Sequence, residues 1–283
     1  MPLTLVLAAG GFGAGAFGAL LGLGGGVLIV PLLALGIGLP LREAVGVSLL
    51  AVIGTSAASA ATYLRRGTAN LRLGLTLEVV TVAGAILGGL VAFAIDERYI
   101  AAAFGIMLVY VAISMVRRRT ESAGRGAARV VDETEAGIPP EPDPEDLAAS
   151  VSRPEYRVRN MPAGLALGGL AGMVSALLGV GGGIVLVPTM HLAMGLPLRA
   201  STATSNLTLG ITASASAALY VLRDAIDPLV AAPVLVGTFL GATAAAKLAN
   251  RVPVAILRWI FVVVLLYVAF QMLSRAIGPA PVA

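Results

Sequence analysis

The sequence predicts an all-α polytopic membrane protein made of two homologous repeats, and three observations predict it. Of 283 residues, 58% are hydrophobic and only 12% are charged, where soluble domains carry roughly 25% charged residues. The charges are also clustered: nine of the 15 acids and eight of the 19 bases lie between Arg117 and Asn160. The third observation is a repeat. Gly22-Leu23-Gly24-Gly25-Gly26-Val27-Leu28-Ile29-Val30-Pro31 returns 157 residues later as Gly179-Val180-Gly181-Gly182-Gly183-Ile184-Val185-Leu186-Val187-Pro188, and residues 22–66 match 179–223 at 21 of 45 positions.

Taken in order, residues 3–21 are apolar and rich in small side chains, enough for one helix. Gly22 to Gly26 interrupt the run, and residues 27–37 are too short to cross a bilayer at 1.5 Å per residue. Spans follow at 43–64, 74–95 and 99–116, closed by Arg65-Arg66, Asp96-Glu97-Arg98 and Arg117-Arg118-Arg119. Runs of this length and character are membrane spans. Residues 117–160 are charged and proline-bearing and read as a disordered linker. The pattern then returns: 162–178, glycines at 179–183, a short piece at 184–194, and spans at 199–221, 228–248 and 254–274. The expected organisation is a first membrane repeat over 1–116, a cytoplasmic linker over 117–160 and a second membrane repeat over 161–283. The first apolar run lacks a charged leading region and belongs to the repeat, so it reads as structure rather than a signal peptide.

Each glycine-broken segment either crosses once or folds back as a hairpin, and the basic residues discriminate. If both fold back, the repeats are inverted: 15 bases lie on the linker side, with only Arg42, Arg98, Arg223 and Arg275 opposite. Single crossings give a poorer 13 to six. Inverted repeats with both termini outside are the expectation, each repeat a glycine-broken hairpin plus three spanning helices.

The net charge of +4 does not point to nucleic acid, because the bases sit singly or in short groups at span ends. With no cysteine, disulfides, thiolate metal sites and iron–sulfur clusters are excluded. The glycine clusters admit two readings. Small residues let membrane helices pack closely. A broken helix also exposes backbone N–H groups that attract anions. Three consecutive glycines before a short apolar piece, in both repeats, favour the second, and make Gly24, Gly25, Gly26, Gly181, Gly182 and Gly183 candidate substrate contacts. No Gly-Lys-Ser/Thr follows either cluster, which sets a phosphate-binding loop aside.

The next span carries hydroxyls on one helical face: Ser201, Ser205, Thr208, Thr212 and Ser216 in the second copy, with Ser48, Thr55 and Ser59 recurring in the first. Ser48, Thr55, Ser205 and Thr212, with Asn206 beside them, are candidate donors to an anion's oxygens. The competing reading is that they bond the carbonyl one turn back or join helices. His191 is the only histidine, too isolated for a metal site, and a candidate proton carrier. Arg42 and Arg199 follow Leu-Pro-Leu in each copy and could attract anions or anchor the interface. The six acids outside the linker, Glu43, Glu78, Asp96, Glu97, Asp224 and Asp227, read as lying at or near span ends. That leaves no carboxylate in mid-membrane, argues against cation pumping and favours an anionic substrate. No catalytic set, metal motif or cofactor fingerprint is present, which argues against an enzyme.

In the doubled Gly-x-Gly-Gly-Gly with Val-Pro further on, and in Gly38-Leu39-Pro40-Leu41-Arg42 matched by Gly195-Leu196-Pro197-Leu198-Arg199, the chain resembles the TauE/SafE family of sulfite-exporter-like anion permeases. The resemblance covers nearly the whole chain. It implies a bacterial inner-membrane transporter exporting sulfite, sulfoacetate or a related organosulfonate, with no cofactor and with the anion and membrane lipid as partners. Import of another small inorganic or carboxylate anion stays open, as do a non-transporting scaffold or sensor role and a homo-oligomer.

Overall fold

The computed structural model describes residues 2–21, 25–65, 69–125, 158–248 and 254–277, with helices, short connections and no strand among them. Gly24 and residues 126–157 of the expected linker lie outside the described residues. Among the described residues, six helices are long and apolar enough to cross a membrane.

The first half runs through α1 (Pro2–Leu21), α2 (Gly26–Pro31), α3 (Leu41–Arg65), α4 (Leu71–Ala94) and α5 (Glu97–Arg125). The second runs through α6 (Met161–Leu178), α7 (Gly183–Pro188), α8 (Leu198–Leu222), α9 (Pro228–Leu248) and α10 (Val254–Ile277). Helix α5 extends past its expected end at 116 into the stretch read as linker, where Arg, Glu, Ser and Ala tolerate helix. After α2 and α7 the chain widens into π-helical turns, Leu32–Ile37 and Thr189–Ala193. Each begins right after a proline, Pro31 or Pro188. Proline offers no N–H and crowds the carbonyl four residues back, so the chain takes the wider spacing. Gly38 and Gly195, at φ +80° and +76°, then end the two short pieces, a conformation open to glycine.

Close helix pairs form where small residues face each other. A methyl added at Gly11 would stand 2.7 Å from the Val234 carbonyl, and one at Gly15 would meet the Thr238 carbonyl. Contacts that advance by four residues on both helices mean that α1 and α9 run parallel. Gly84 meets Gly169 and Gly88 meets Met173, so α4 and α6 also run parallel. In lipid, apolar surface alone does not drive helices together, and such backbone approach supplies the packing.

Helices α3 and α8 cross at the centre in opposite directions: Gly46 lies against Tyr220, while Ser56 Oγ donates to the Asn206 carbonyl at 2.6 Å and accepts from Gly210 N at 3.0 Å. Beside them α4 and α8 run parallel, since Asn70 N donates to Thr204 Oγ1 and Gly89 faces Leu219. Short connections reverse the chain between α3 and α4 and between α8 and α9. The directions are then fixed. Helix α1 runs with α3, and α6 runs with α8. The short glycine-led pieces between them must therefore return, and both broken segments fold back as hairpins.

Candidate functional site

In the interior Gly26 abuts Gly179 of the second glycine turn with Ser48 of α3 beside them, and Gly183 of that turn lies against Ser205 of α8. On the first-half side the described residues, Gly25 and Gly26, are closely packed. Ser48 Oγ donates to the Gly179 carbonyl at 2.7 Å, with the Gly26 carbonyl at 3.2 Å. A methyl at Gly26 would collide with the Gly179 carbonyl and stand 2.9 Å from Ser48 Oγ. Thr55 Oγ1 donates to the Val52 carbonyl at 3.1 Å. Gly25 caps α2 at φ −68°, and a methyl there would meet only ordinary contacts at 3.4–3.6 Å. Of the first-half candidates, Ser48 and Gly26 thus close the structure, with the Ser48 hydroxyl turned to backbone.

The second-half side differs. Gly181 and Gly182 have φ +81° and +70°, so the turn leading into α7 takes a course open to glycine. Ser205 Oγ lies 3.4 Å from the position a methyl would take on Gly183, and Ser175 of α6 lies against Gly182 in the same way, its Cβ at 3.3 Å. Ser175 and Ser205 are 0% and 1% exposed, yet neither hydroxyl has a hydrogen-bond partner. Buried polar atoms are nearly always partnered. Two orphaned hydroxyls flanking one glycine turn are a donor pair with nothing to bond.

Two turns further along the same face of α8, Thr212 Oγ1 donates to Glu78 Oε1 at 2.5 Å. Glu78 is 4% exposed, and its second oxygen has no partner. This corrects the expectation that no carboxylate lies inside the membrane region. Helix α4 begins at Leu71, where Asn70 Oδ1 caps Leu73 N, so Glu78 stands about 10 Å into the helix at 1.5 Å per residue. The apolar run read as starting at 74 had left it near an end.

The other predicted residues are placed apart from this donor pair. Asn206 Nδ2 donates to the Thr202 carbonyl at 3.0 Å on its own helix. The exposed His191 has Nδ1 2.7 Å from the Leu196 carbonyl, within its own hairpin. Arg42 donates from Nη2 to the Ile95 carbonyl at 2.7 Å, pairs with Glu97 at 4.0 Å and stacks over Phe93, which fits an anchor between α3 and the α4–α5 turn. Arg199 lies in the first turn of α8, and its side chain is outside the described ones. Among the described residues no His, Asp and Glu cluster could hold a metal ion. The sequence reading missed Ser175 and Glu78. Both stand inside apolar runs, and a polar residue at such a position is the signal that would have found them.

The family model described as sulfite exporter TauE/SafE matches residues 7–272. The chain belongs to the TauE/SafE family. This TauE/SafE protein is 26% identical to the probable membrane transporter protein YunE of Bacillus subtilis over 96% of its own length and 98% of that protein. It is 25% identical to a probable membrane transporter protein of Xylella fastidiosa (strain 9a5c), over 97% and 96%. To the probable membrane transporter protein MJ0441 of Methanocaldococcus jannaschii it is 26% identical, over 68% and 62%. No solved structure matches it.

Proposed function

We propose that this TauE/SafE protein is a secondary transporter exporting a small sulfur-containing oxyanion, such as sulfite, sulfoacetate or another organosulfonate, across the bacterial inner membrane. The observation that carries the reading is the pair of buried, unpartnered hydroxyls on Ser175 and Ser205 beside the Gly181–Gly183 turn. Leaving such groups unbonded costs about 1–3 kcal/mol each, and a ligand with several acceptor oxygens relieves that cost. A sulfite or sulfonate group carries three such oxygens on a small headgroup. The backbone N–H groups of the glycine turn add donors, and bonds to a charged acceptor are the stronger kind.

The two halves are read as inverted repeats around this site. Support comes from the opposite directions of α3 and α8, the fold-back of both hairpins and the 15-to-4 division of basic residues, which favours both termini outside and the linker in the cytoplasm. Such repeats meeting at broken helices are a known basis for alternating access.

The test is a thermal-shift screen of purified protein against sulfite, sulfate, sulfoacetate, taurine and acetate. Sulfite or sulfoacetate should raise the melting temperature in a concentration-dependent way, because a ligand bound only by the folded state stabilises it. Stabilisation by acetate alone, with none by the sulfur anions, would contradict the substrate class.

A further inference from the structure

We propose that Glu78 is the proton-binding site of the transport cycle. It carries a proton on Oε2 whenever the anion occupies the Ser175–Ser205 site, so that one proton travels with each anion. This rests on the anion-transport reading above and deepens it.

Glu78 is 4% exposed, inside a membrane-spanning helix. Ionisable residues in that setting are expensive, and they mark substrate or proton paths. Its surroundings hold no compensating charge. Helix α4 carries one other ionisable side chain, the exposed Arg72. Helix α6, packed along α4, carries none. Helix α8, packed on its other side, carries Arg199 in its first turn and Tyr220 near its far end. The Tyr220 hydroxyl is engaged with the Ala176 carbonyl. Among the described residues the one ion pair is Arg42–Glu97. Structural pairing therefore does not account for Glu78.

Thr212 Oγ1 donates to Oε1 and leaves Oε2 without a partner, so Oε2 is the oxygen able to take a proton. Ser205 and Thr212 share one face of α8, seven residues apart, which is about 10 Å along the helix. An anion at Ser205 and Gly183 therefore sits within two helical turns of the carboxyl, in a dry interior where like charges repel strongly. An ionised Glu78 and a bound anion disfavour each other. A protonated Glu78 does not.

The balance is simple. A proton from water on one side bonds to Oε2, and it leaves to water on the other side when the anion does. No other bond changes. The load then carries one negative charge fewer than the anion alone, and the pH gradient joins the anion gradient in setting direction.

The sign follows from linkage. If anion binding favours the protonated form, binding takes up a proton and affinity falls as pH rises. The experiment uses full-length protein in lipid nanodiscs and sulfoacetate, whose two acid groups both stay ionised between about pH 6 and 8. Calorimetry in two buffers of different ionisation enthalpy reads proton uptake, and a pH series reads Kd. The parent should take up close to one proton per anion, with Kd rising by up to about tenfold per pH unit. Glu78→Gln, whose amide oxygen still accepts from Thr212, should bind with a pH-independent Kd and no uptake. Should that variant not fold, Thr212→Val must displace the pH at which affinity falls. Binding by the parent without proton uptake would overturn the proposal and leave the anion reading standing. So would an unchanged pH profile in these variants, or uptake that is lost in His191→Gln and kept in Glu78→Gln. Failure of the parent to bind sulfoacetate, sulfite or acetate would remove the anion reading itself, and this proposal with it.

Discussion

Ser48 and Ser205 occupy equivalent places in two stretches of matching sequence, yet one is bonded and the other is not. Ser48 Oγ is held by the Gly179 and Gly26 carbonyls. Ser205 Oγ, equally buried, has no partner. The contrast extends outward from each. Thr55 bonds the backbone of its own helix, while its counterpart Thr212 bonds Glu78. The position matching Glu78 in the second half is Leu235, whose side chain packs against Gly54. Gly25 precedes α2 with φ −68°, and its counterpart Gly182 precedes α7 with φ +70°. The two matching stretches thus differ: the first is closed, with Ser48 holding Gly26 and Gly179 together, and the second has free hydroxyls beside its turn and bonds, through Thr212, the Glu78 carboxyl that α4 of the first half supplies. On the proposed reading the two matching stretches are similar frames, and a few substitutions decide which of them binds.

The comparison can be broken at its foundation by asking whether the halves oppose each other. Cysteines placed at Gly67 and at Asp224 should label from opposite sides of the membrane, an all-or-none difference. Labelling from the same side would contradict the inverted arrangement.

A large graded effect is expected at the closed turn. In Gly26→Ala the new methyl meets the Gly179 carbonyl and Val52, and backbone cannot yield as a side-chain tip can. Overpacking of this kind costs about 3 kcal/mol, read as a lowered melting temperature. Gly25→Ala, one residue earlier, should melt like the parent. Equal melting of the two variants would show that the turns do not abut as described.

At the open turn the effect should be smaller. Gly182→Ala holds alanine at φ +70° with the Ala171 carbonyl 3.0 Å from its methyl, a conformation costing about 1–2 kcal/mol. Because the turn carries candidate donors, its affinity for sulfoacetate should fall as well. A variant that melts lower but binds unchanged would give this turn a packing role alone.

Much of the fold was legible in the sequence. Apolar runs of span length, three consecutive glycines and a proline after each short piece act locally, so the helices and both breaks can be located from the residues themselves. The fold-back was legible through charge, because Arg199, Lys247, Arg251 and Arg258 join the linker side only if the second hairpin returns. The site was legible only in part. Ser205 and Ser48 look alike in sequence, and what separates them is the position of the Gly179 carbonyl, set by packing of the second hairpin against α3. Glu78 was misjudged because its depth depends on where α4 begins. Asn70 caps the helix ahead of the apolar run and moves Glu78 two turns inside. Ser175 sits among small residues in a packing helix, and its lack of a partner follows from the course of the chain at Gly182.

The central claim, that one half closes the structure and the other binds the anion, is tested most directly by Ser48→Ala and Ser205→Ala side by side. Melting temperature and sulfoacetate affinity would be measured on the folded fraction of each. Ser48→Ala strips the donor from a buried carbonyl and should lose about 1 kcal/mol or more of stability, with affinity unchanged. Ser205→Ala removes a hydroxyl that bonds nothing in the protein, so it should melt like the parent. It should bind more weakly by about 1 kcal/mol, roughly fivefold in Kd. The reverse pattern, with Ser48 controlling affinity and Ser205 controlling stability, would contradict the account.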